Sequence, residues 1–493
     1  MVGSSNRACP HCISTTAARK GNQPPIMSRR PEADGLNLDH LDGQLAAVMA
    51  RVCRTVAEAG GRAWLVGGVV RDAILGLPLG ELDLEVFGLP ADRLRAALAG
   101  EYDLDLVGQS FGILKLRGWP IDVGLPRREA KIGLGHKGFE VHSDPTMSLP
   151  DAAARRDFTV NAIYCDPLTG QVEDPFGGRD DLAARRLRHT SPAFGEDPLR
   201  VLRGMQLAAR FDLEPVPATV EICRAIEPEG LTSERIFGEW TKLITLGRAP
   251  SRGLKFLRDC GWLQYFPELA ALPGVPQDPQ WHPEGDVWVH TLHCLDAFAD
   301  ERIGHPWEDL VVGAAVLCHD LGKPDTTVTG ADGVIRSPGH EERGVVLTEA
   351  FLGRMSSHRK LLAEVQPLVA EHMRPTALFQ AGASDAAVRR LAARVGRLDR
   401  LVRVARADAL GRPPLAVREF PAGDWLLEAA RRLEVEHNPP EPLVLGRHLK
   451  ALGRQPGPHF GEVLEKCYEA QLEGRFTTAE EGIRFAEKIL GLR

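Results

Sequence analysis

From Leu41 to Ala59 the apolar positions recur at helical spacing, and the next apolar run, Ala63–Val66, has the length of a strand and stops at Gly67 and Gly68. Val69–Leu75 and Ala91–Ala99 then read as helices, and Leu82–Phe87, Ile113–Leu116 and Ile121–Val123 as short strands. Beyond about Asp197 the strand signals fade. Helical patterns run from there to the C-terminus, broken near Pro267–Pro283, Pro413–Pro414 and Pro439–Pro442. The pattern predicts an α+β chain: a small mixed sheet with helices, followed by a long all-α body.

A chain of 493 residues exceeds the roughly 250–300 residues that one core sustains. The expected division is a disordered Ser-, Arg-, Pro- and Gly-rich leader over 1–40, a head over 41–190, a helical region over 191–275, a histidine-rich helical domain over 276–415 and a C-terminal helical region over 416–493. No run approaches the ~18–20 unbroken apolar residues of a membrane span. The nine cysteines are odd in number and scattered, which predicts free thiols in a reducing compartment, the cytoplasm. A net charge of −7 argues against a uniformly basic coat for nucleic acid, so RNA binding would need a local basic face. Arg179, Arg185, Arg186, Arg188, Arg200, Arg203 and Arg210 are the candidates for it.

The first chemical constellation is LVGGVVRDAILGLPLGELDLEVFG, from Leu65. Gly67 and Gly68 let the backbone approach a ligand closely, the helix that follows offers free N–H groups to a triphosphate, and Arg71 can add a cationic contact. Glu81, Asp83 and Glu85 alternate along the next strand and so share a face. Carboxylates crowded on one face repel unless a cation joins them, and two Mg²⁺ ions would do so while activating a 3′-hydroxyl. ARRDFTVNAIYCDPLTG, from Ala154, brings Arg155, Arg156, Asp157 and Asn161, groups suited to ribose and phosphate. GEDPLRVLRGMQLAARF, from Gly195, places Asp197 and Arg200 three apart at a helix start.

In this order the three elements resemble the class II tRNA nucleotidyltransferase and poly(A) polymerase family, a branch of the polymerase-beta-like nucleotidyltransferases, over roughly Leu65 to Trp240. The resemblance implies metal carboxylates at Glu81 and Asp83 with Asp122 as a third, nucleotide contacts from Gly67, Gly68, Arg71, Arg155, Arg156, Asp157 and Asn161, and a base-reading pair at Asp197 and Arg200. It also implies that Arg127 to Asp144 is the family's flexible loop. The expected substrates are tRNA, CTP and ATP, and the expected metal is Mg²⁺. One departure stands out: Glu81 occupies a position where the family carries aspartate, so metal coordination changes or Glu85 assists. An aspartate that accepts from an exocyclic amine, beside an arginine that donates to a ring nitrogen, suits C and A and mismatches U and G.

A second chemistry lies in HPEGDVWVHTLHCLD from His282, VLCHDLGKP from Val316, SPGHEERG from Ser337, AEHMRP from Ala370 and RADALGR from Arg406. The imidazoles and carboxylates of His290, His319, Asp320, His340, His372 and Asp408 suit a transition-metal pair better than a lone Mg²⁺. The series resembles the HD phosphohydrolase family. That likeness implies one metal held by His290, His319, Asp320 and Asp408, a second completed by His340 and His372, Lys323 near a substrate phosphate, and Ni, Mn, Co or Fe as the metal. CCA addition to tRNA with an attached HD phosphohydrolase is therefore the leading expectation. The alternatives are an A-adding or poly(A)-forming polymerase, or an HD phosphohydrolase whose head only grips RNA.

Overall fold

The computed structural model describes residues 36, 38, 40–107, 113–131, 139–413, 415 and 419–492. Most of the expected leader, with Cys9 and Cys12, lies outside the described residues, as does the centre of the Arg127–Asp144 loop.

Helix α1 (Gly43–Glu58) starts where the Asp42 carboxylate accepts from the N–H groups of Gln44 and Leu45, and it buries Leu45, Met49, Val52, Cys53 and Val56 along one stripe. Strand β1 (Arg62–Val66) follows, then α2 (Gly68–Ile74), β2 (Leu82–Phe87), α3 (Ala91–Ala99), β3 (Leu104–Val107), β4 (Ile113–Leu116) and β5 (Ile121–Gly124). The predicted strands and helices are all present. The sequence reading missed β3, the hairpin β6 (Arg127–Lys131) with β7 (Phe139–Ser143), and the two-residue strands β8 (Tyr164–Cys165) and β9 (Val172–Glu173). Seven strands make one mixed sheet in the order β3-β4-β5-β2-β1-β8-β9, in which only the β2–β5 pair is parallel. Leu82, Leu84 and Val86 of β2 are buried while Asp83 is exposed and Glu85 half-buried, the period-two pattern that turns carboxylates off the core face.

Helix α4 (Leu149–Ala154), α5 (Gly178–Ala183) and α6 (Leu199–Phe211) close the head. Helix α6 packs on Pro250–Asp259 closely enough that a Cβ on Gly253 would lie 2.5 Å from the Met205 carbonyl oxygen. Trp240 meets Phe266 and Phe351 edge to face at 5.0 and 5.4 Å, which ties helix Ser233–Leu246 to the histidine-bearing helices. One apolar core runs from Leu41 to Val435, and a separate smaller one from Val444 to Ala486. Phe420, Leu426 and Val435, grouped by sequence with the C-terminal region, share the large core. No helix among the described residues is long and apolar enough to cross a membrane.

Candidate active sites

Gly67 ends β1 at φ +77°, a backbone region that side chains rarely adopt, and a Cβ there would sit 3.3 Å from an Arg156 guanidinium nitrogen and 3.6 Å from the Asp83 carboxylate. Across the parallel β2–β5 pair, Asp83 is the register partner of Asp122. Asp83 and Asp122 line a cavity of about 250 Å³ together with Glu85, Arg127, Arg155 and Arg156. Recession among protein atoms raises the Asp83 carboxyl above the usual range; Arg156 opposes the shift, and Asp122 and Glu81 add to it. Such a carboxylate set fits a divalent cation, which would relieve the mutual repulsion. Glu81 lies exposed just before β2. Glu85 accepts from the Tyr164 hydroxyl at 2.7 Å and from Arg156 at 3.4 Å, so it braces Arg156. Lys115, on β4, reaches Asp122 at 2.6 Å.

Several expected nucleotide contacts also have protein partners. Arg71 is 4% exposed; it donates to the Asn161 amide oxygen at 2.6 Å and to Asp72, and lies over the Phe211 ring. Its guanidinium lies beside the glycine turn, 3.3 Å from where a Cβ on Gly68 would stand. Asp157 accepts from the Phe158 N–H, the Asn161 amide at 3.1 Å and Arg203 at 2.7 Å. Burial works against its charge, yet these donors hold its carboxyl down at about 2. Arg71, Asn161, Asp157 and Arg203 thus form one chain joining α2, the segment after α4, and α6. The Arg200 guanidinium donates at 2.6 Å to each of two carbonyls, those of Ala193 and Arg155, while Asp197 accepts from Leu199 N–H and Arg235. The proposed arginine face is likewise divided: Arg186 and Arg188 bracket Asp181, and Arg185 pairs with Asp212.

The second site is buried. His290, on helix Val287–Asp300, His319 and Asp320, which follow helix Pro306–Cys318, His340, which opens helix His340–Met355, and His372, which ends helix Arg359–Glu371, are each less than a tenth exposed. Three imidazoles give their Nδ1 hydrogens to the carbonyl three residues earlier: His319 to Val316, His340 to Ser337 and His372 to Val369, at 2.7–2.8 Å. Their Nε2 lone pairs therefore face inward. His290 Nε2 lies 3.4 Å from His319 Nε2 and 3.1 Å from Asp408, and His340 Nε2 lies 3.3 Å from His372 Nε2. Facing lone pairs at such distances repel unless a cation or proton lies between them. One Asp320 oxygen lies 2.8 Å from Lys323 Nζ and 3.2 Å from His319 Nε2, and the other lies 3.6 Å from His340 Nε2. Imidazoles fixed as Nε2 donors around a buried carboxylate fit transition-metal ions. The structure brings all six expected ligands together, in two groups: His290 and His319 with Asp408, joined by Cys294, and Asp320 with His340 and His372. His282, Glu284 and Cys294 stand in the quoted motif but received no role from the sequence; one residue of periodicity tells nothing of a carboxylate in a Pro-Gly loop.

A mixed sheet with a glycine turn opposite strand-borne carboxylates defines a polymerase-beta-like nucleotidyltransferase head. The Poly A polymerase head domain matches residues 63–188, and the "Probable RNA and SrmB- binding site of polymerase A" matches 217–272. A "Multifunctional CCA protein" of Nitrosospira multiformis is 36% identical over 382 residues, covering 75% of this chain and 88% of the relative. Among solved structures, the Bacillus stearothermophilus CCA-adding enzyme in complex with CTP superposes with a TM-score of 0.61 at 21% identity, covering 92% of this chain and 99% of the other. The Thermotoga maritima CCA-adding enzyme complexed with tRNA gives 0.55 at 17% identity, covering 92% and 97%. The chain belongs to the class II tRNA nucleotidyltransferase and poly(A) polymerase family, that of the CCA-adding enzymes.

Proposed function

We propose that this protein adds CMP and AMP, from CTP and ATP, to the 3′ end of tRNA without a nucleic-acid template, in the cytoplasm, and that its histidine centre hydrolyses phosphoesters. The observation that carries the first activity is the Asp83–Asp122 register pair beside the Gly67 turn, opening on a cavity also lined by Arg155 and Arg156. The names of the Nitrosospira relative and of the CTP- and tRNA-bound neighbours support the choice of substrates.

In this reading Glu81 and Asp83 hold Mg²⁺, which when bound supplies Lewis-acid activation of the attacking hydroxyl and charge neutralisation. Arg155 and Arg156 meet the triphosphate. Tyr164 and Glu85 hold the Arg156 fork in place, and the flat Gly67 backbone leaves room for the ligand. Asp197 and Arg200 read the base; for Arg200 this means leaving the carbonyls of Ala193 and Arg155. Purified protein incubated with labelled CTP or ATP, each alone and with the other nucleotide unlabelled, and with tRNA lacking its 3′ CCA or ending in CC, tests the reading. Incorporation of C into tRNA lacking CCA, and of A only once CC is present, is expected; A into the CC-ending tRNA with no C into the other would mean an A-adding enzyme, A from ATP alone on tRNA lacking CCA a poly(A)-forming one, and no incorporation would leave an RNA-gripping head.

For the second activity, the buried Asp320 carboxylate among inward-facing Nε2 atoms is the supporting observation. His290, His319, Asp320, His340, His372 and Asp408 would hold the metal pair, with Ni, Mn, Co and Fe as the fitting ions. Lys323, held by Asp320 and by Gln277 at 2.8 Å, would orient a phosphate.

A further inference from the structure

Glu284 precedes helix Val287–Asp300, and its side chain is closed off from solvent. One oxygen, Oε1, is shared by two imidazoles: it lies 2.8 Å from His290 Nδ1 and 2.9 Å from His282 Nδ1. The two rings meet edge to face, with centroids 4.8 Å apart. His290 turns its other nitrogen, Nε2, to Asp408 and His319. Of the four imidazoles in the centre, three rest their Nδ1–H on a neutral carbonyl, His340 with the half-exposed Glu341 carboxylate also 3.2 Å away, whereas His290 rests at 2.8 Å on a carboxylate closed off from solvent. A carboxylate behind an imidazole fixes its tautomer and ring rotation and makes the far nitrogen more electron-rich, hence a better ligand.

We propose that Glu284 is the positioning residue of the metal centre, setting His290 as an Nε2 ligand, while His282, on the more open side, clamps the same carboxylate in place. The inference rests on reading the centre as a metal-dependent phosphoesterase. It assigns metal affinity in part to an acid that is not itself one of the six ligands. Glu284, His282 and His290 also lie close enough together to suggest a metal site of their own. Both Nδ1 atoms, however, stand at hydrogen-bond distance from one oxygen, and His290 has its second nitrogen in the inner cluster, which is the geometry of a relay.

The test is titration of metal-free full-length protein with Co²⁺, reading affinity and the visible Co²⁺ absorption spectrum, for wild type, Glu284→Gln, Glu284→Ala and His282→Ala. Loss of such a supporting carboxylate is expected to weaken binding by roughly 10- to 100-fold. Glu284→Gln should fall at the small end, because its amide oxygen still accepts from His290, and Glu284→Ala at the large end with an altered spectrum. His282→Ala should stay within a few-fold of wild type. Melting curves of the metal-free variants report folding, and the near-isosteric Glu284→Gln decides the matter if Glu284→Ala does not fold. Wild-type affinity and spectrum in the Glu284 variants overturn the proposal, as does a loss in His282→Ala equal to that in Glu284→Ala. Absence of Co²⁺ uptake by wild type itself overturns the metal reading of the centre and this inference with it.

Discussion

Asp83 and Asp122 stand side by side on neighbouring parallel strands, and only Asp122 has a lysine, Lys115, at 2.6 Å. The two carboxylates are therefore not equivalent: one pairs with a lysine, and the other sits beside the glycine turn with its carboxyl raised by recession and by its acidic neighbours against the pull of Arg156. Asp83→Ala is expected to reduce nucleotide addition by roughly 1,000-fold, about 4 kcal/mol of barrier, with tRNA affinity within a few-fold of wild type. Asp122→Asn should cost less. Single-turnover addition rates for both variants check the ranking, and an Asp122→Asn defect as deep as that of Asp83→Ala would place the metal between the strands instead.

Glu81 carries one methylene more than aspartate, and Mg²⁺ tolerates little misplacement of its ligands. Glu85 does not stand ready as a substitute, since Tyr164 and Arg156 engage it. Glu81→Asp is thus expected to be at least as active as wild type, and Glu81→Ala to fall by on the order of 100-fold. Identical rates for the two variants would remove Glu81 from the ligand set.

Asp157 joins α2 to α6 through Asn161 and Arg203. Its folded-state carboxyl lies at about 2, below the ~3.9 of an unfolded aspartate. A depressed value means stabilisation that is present above the unfolded value and lost as the pH falls through 4 toward 2, worth about 2 kcal/mol. Asp157→Asn should therefore melt below wild type at pH 7, and the gap should narrow toward pH 3. A gap that stays constant over that range would show that the ion pair contributes nothing through ionisation.

The histidine centre and the nucleotide cavity use different residues on different elements. Asp320→Ala is expected to abolish metal-dependent phosphoester hydrolysis and leave nucleotide addition nearly intact, measured on one preparation with a chromogenic phosphodiester and with tRNA. Joint loss of both activities in folded protein would mean one shared site.

How far the sequence carried these sites depends on what periodicity encodes. The alternation of Leu82, Leu84 and Val86 with Asp83 and Glu85 announces both strand β2 and its carboxylate face, and the structure keeps both. Strands β8 and β9 hold two residues each, too few for any period. The hairpin strand Arg127–Lys131 carries a charged residue at every position but Ala130, so no alternation marked it. The convergence of His290 with Asp408, more than a hundred residues apart, follows from helix packing and was legible only through resemblance. Arginines were the hardest to place. Nothing in a sequence tells which protein groups a guanidinium will meet, such as the Asn161 amide at Arg71 and the two carbonyls at Arg200.

Base selection gives the sharpest remaining test, because Asp197 and Arg200 differ in what else they do. Arg200 is 8% exposed and satisfies the carbonyls of Ala193 and Arg155, so Arg200→Ala should lower the melting temperature whether or not it reads a base. Asp197 pairs with Arg235, both side chains being more than a quarter exposed, and such a pair is worth little, about 0–1 kcal/mol. Asp197→Ala should therefore melt close to wild type. If its carboxylate accepts the exocyclic amine of CTP and ATP, its removal forfeits about 1.5–3 kcal/mol of charged hydrogen bonding, and UTP and GTP should gain on CTP and ATP by roughly 10- to 100-fold. Incorporation of all four nucleotides, measured beside the melting temperature, separates the two roles. A folded Asp197→Ala protein that selects C and A as sharply as wild type would assign Asp197 to the start of α6 and to Arg235, and base reading to other residues.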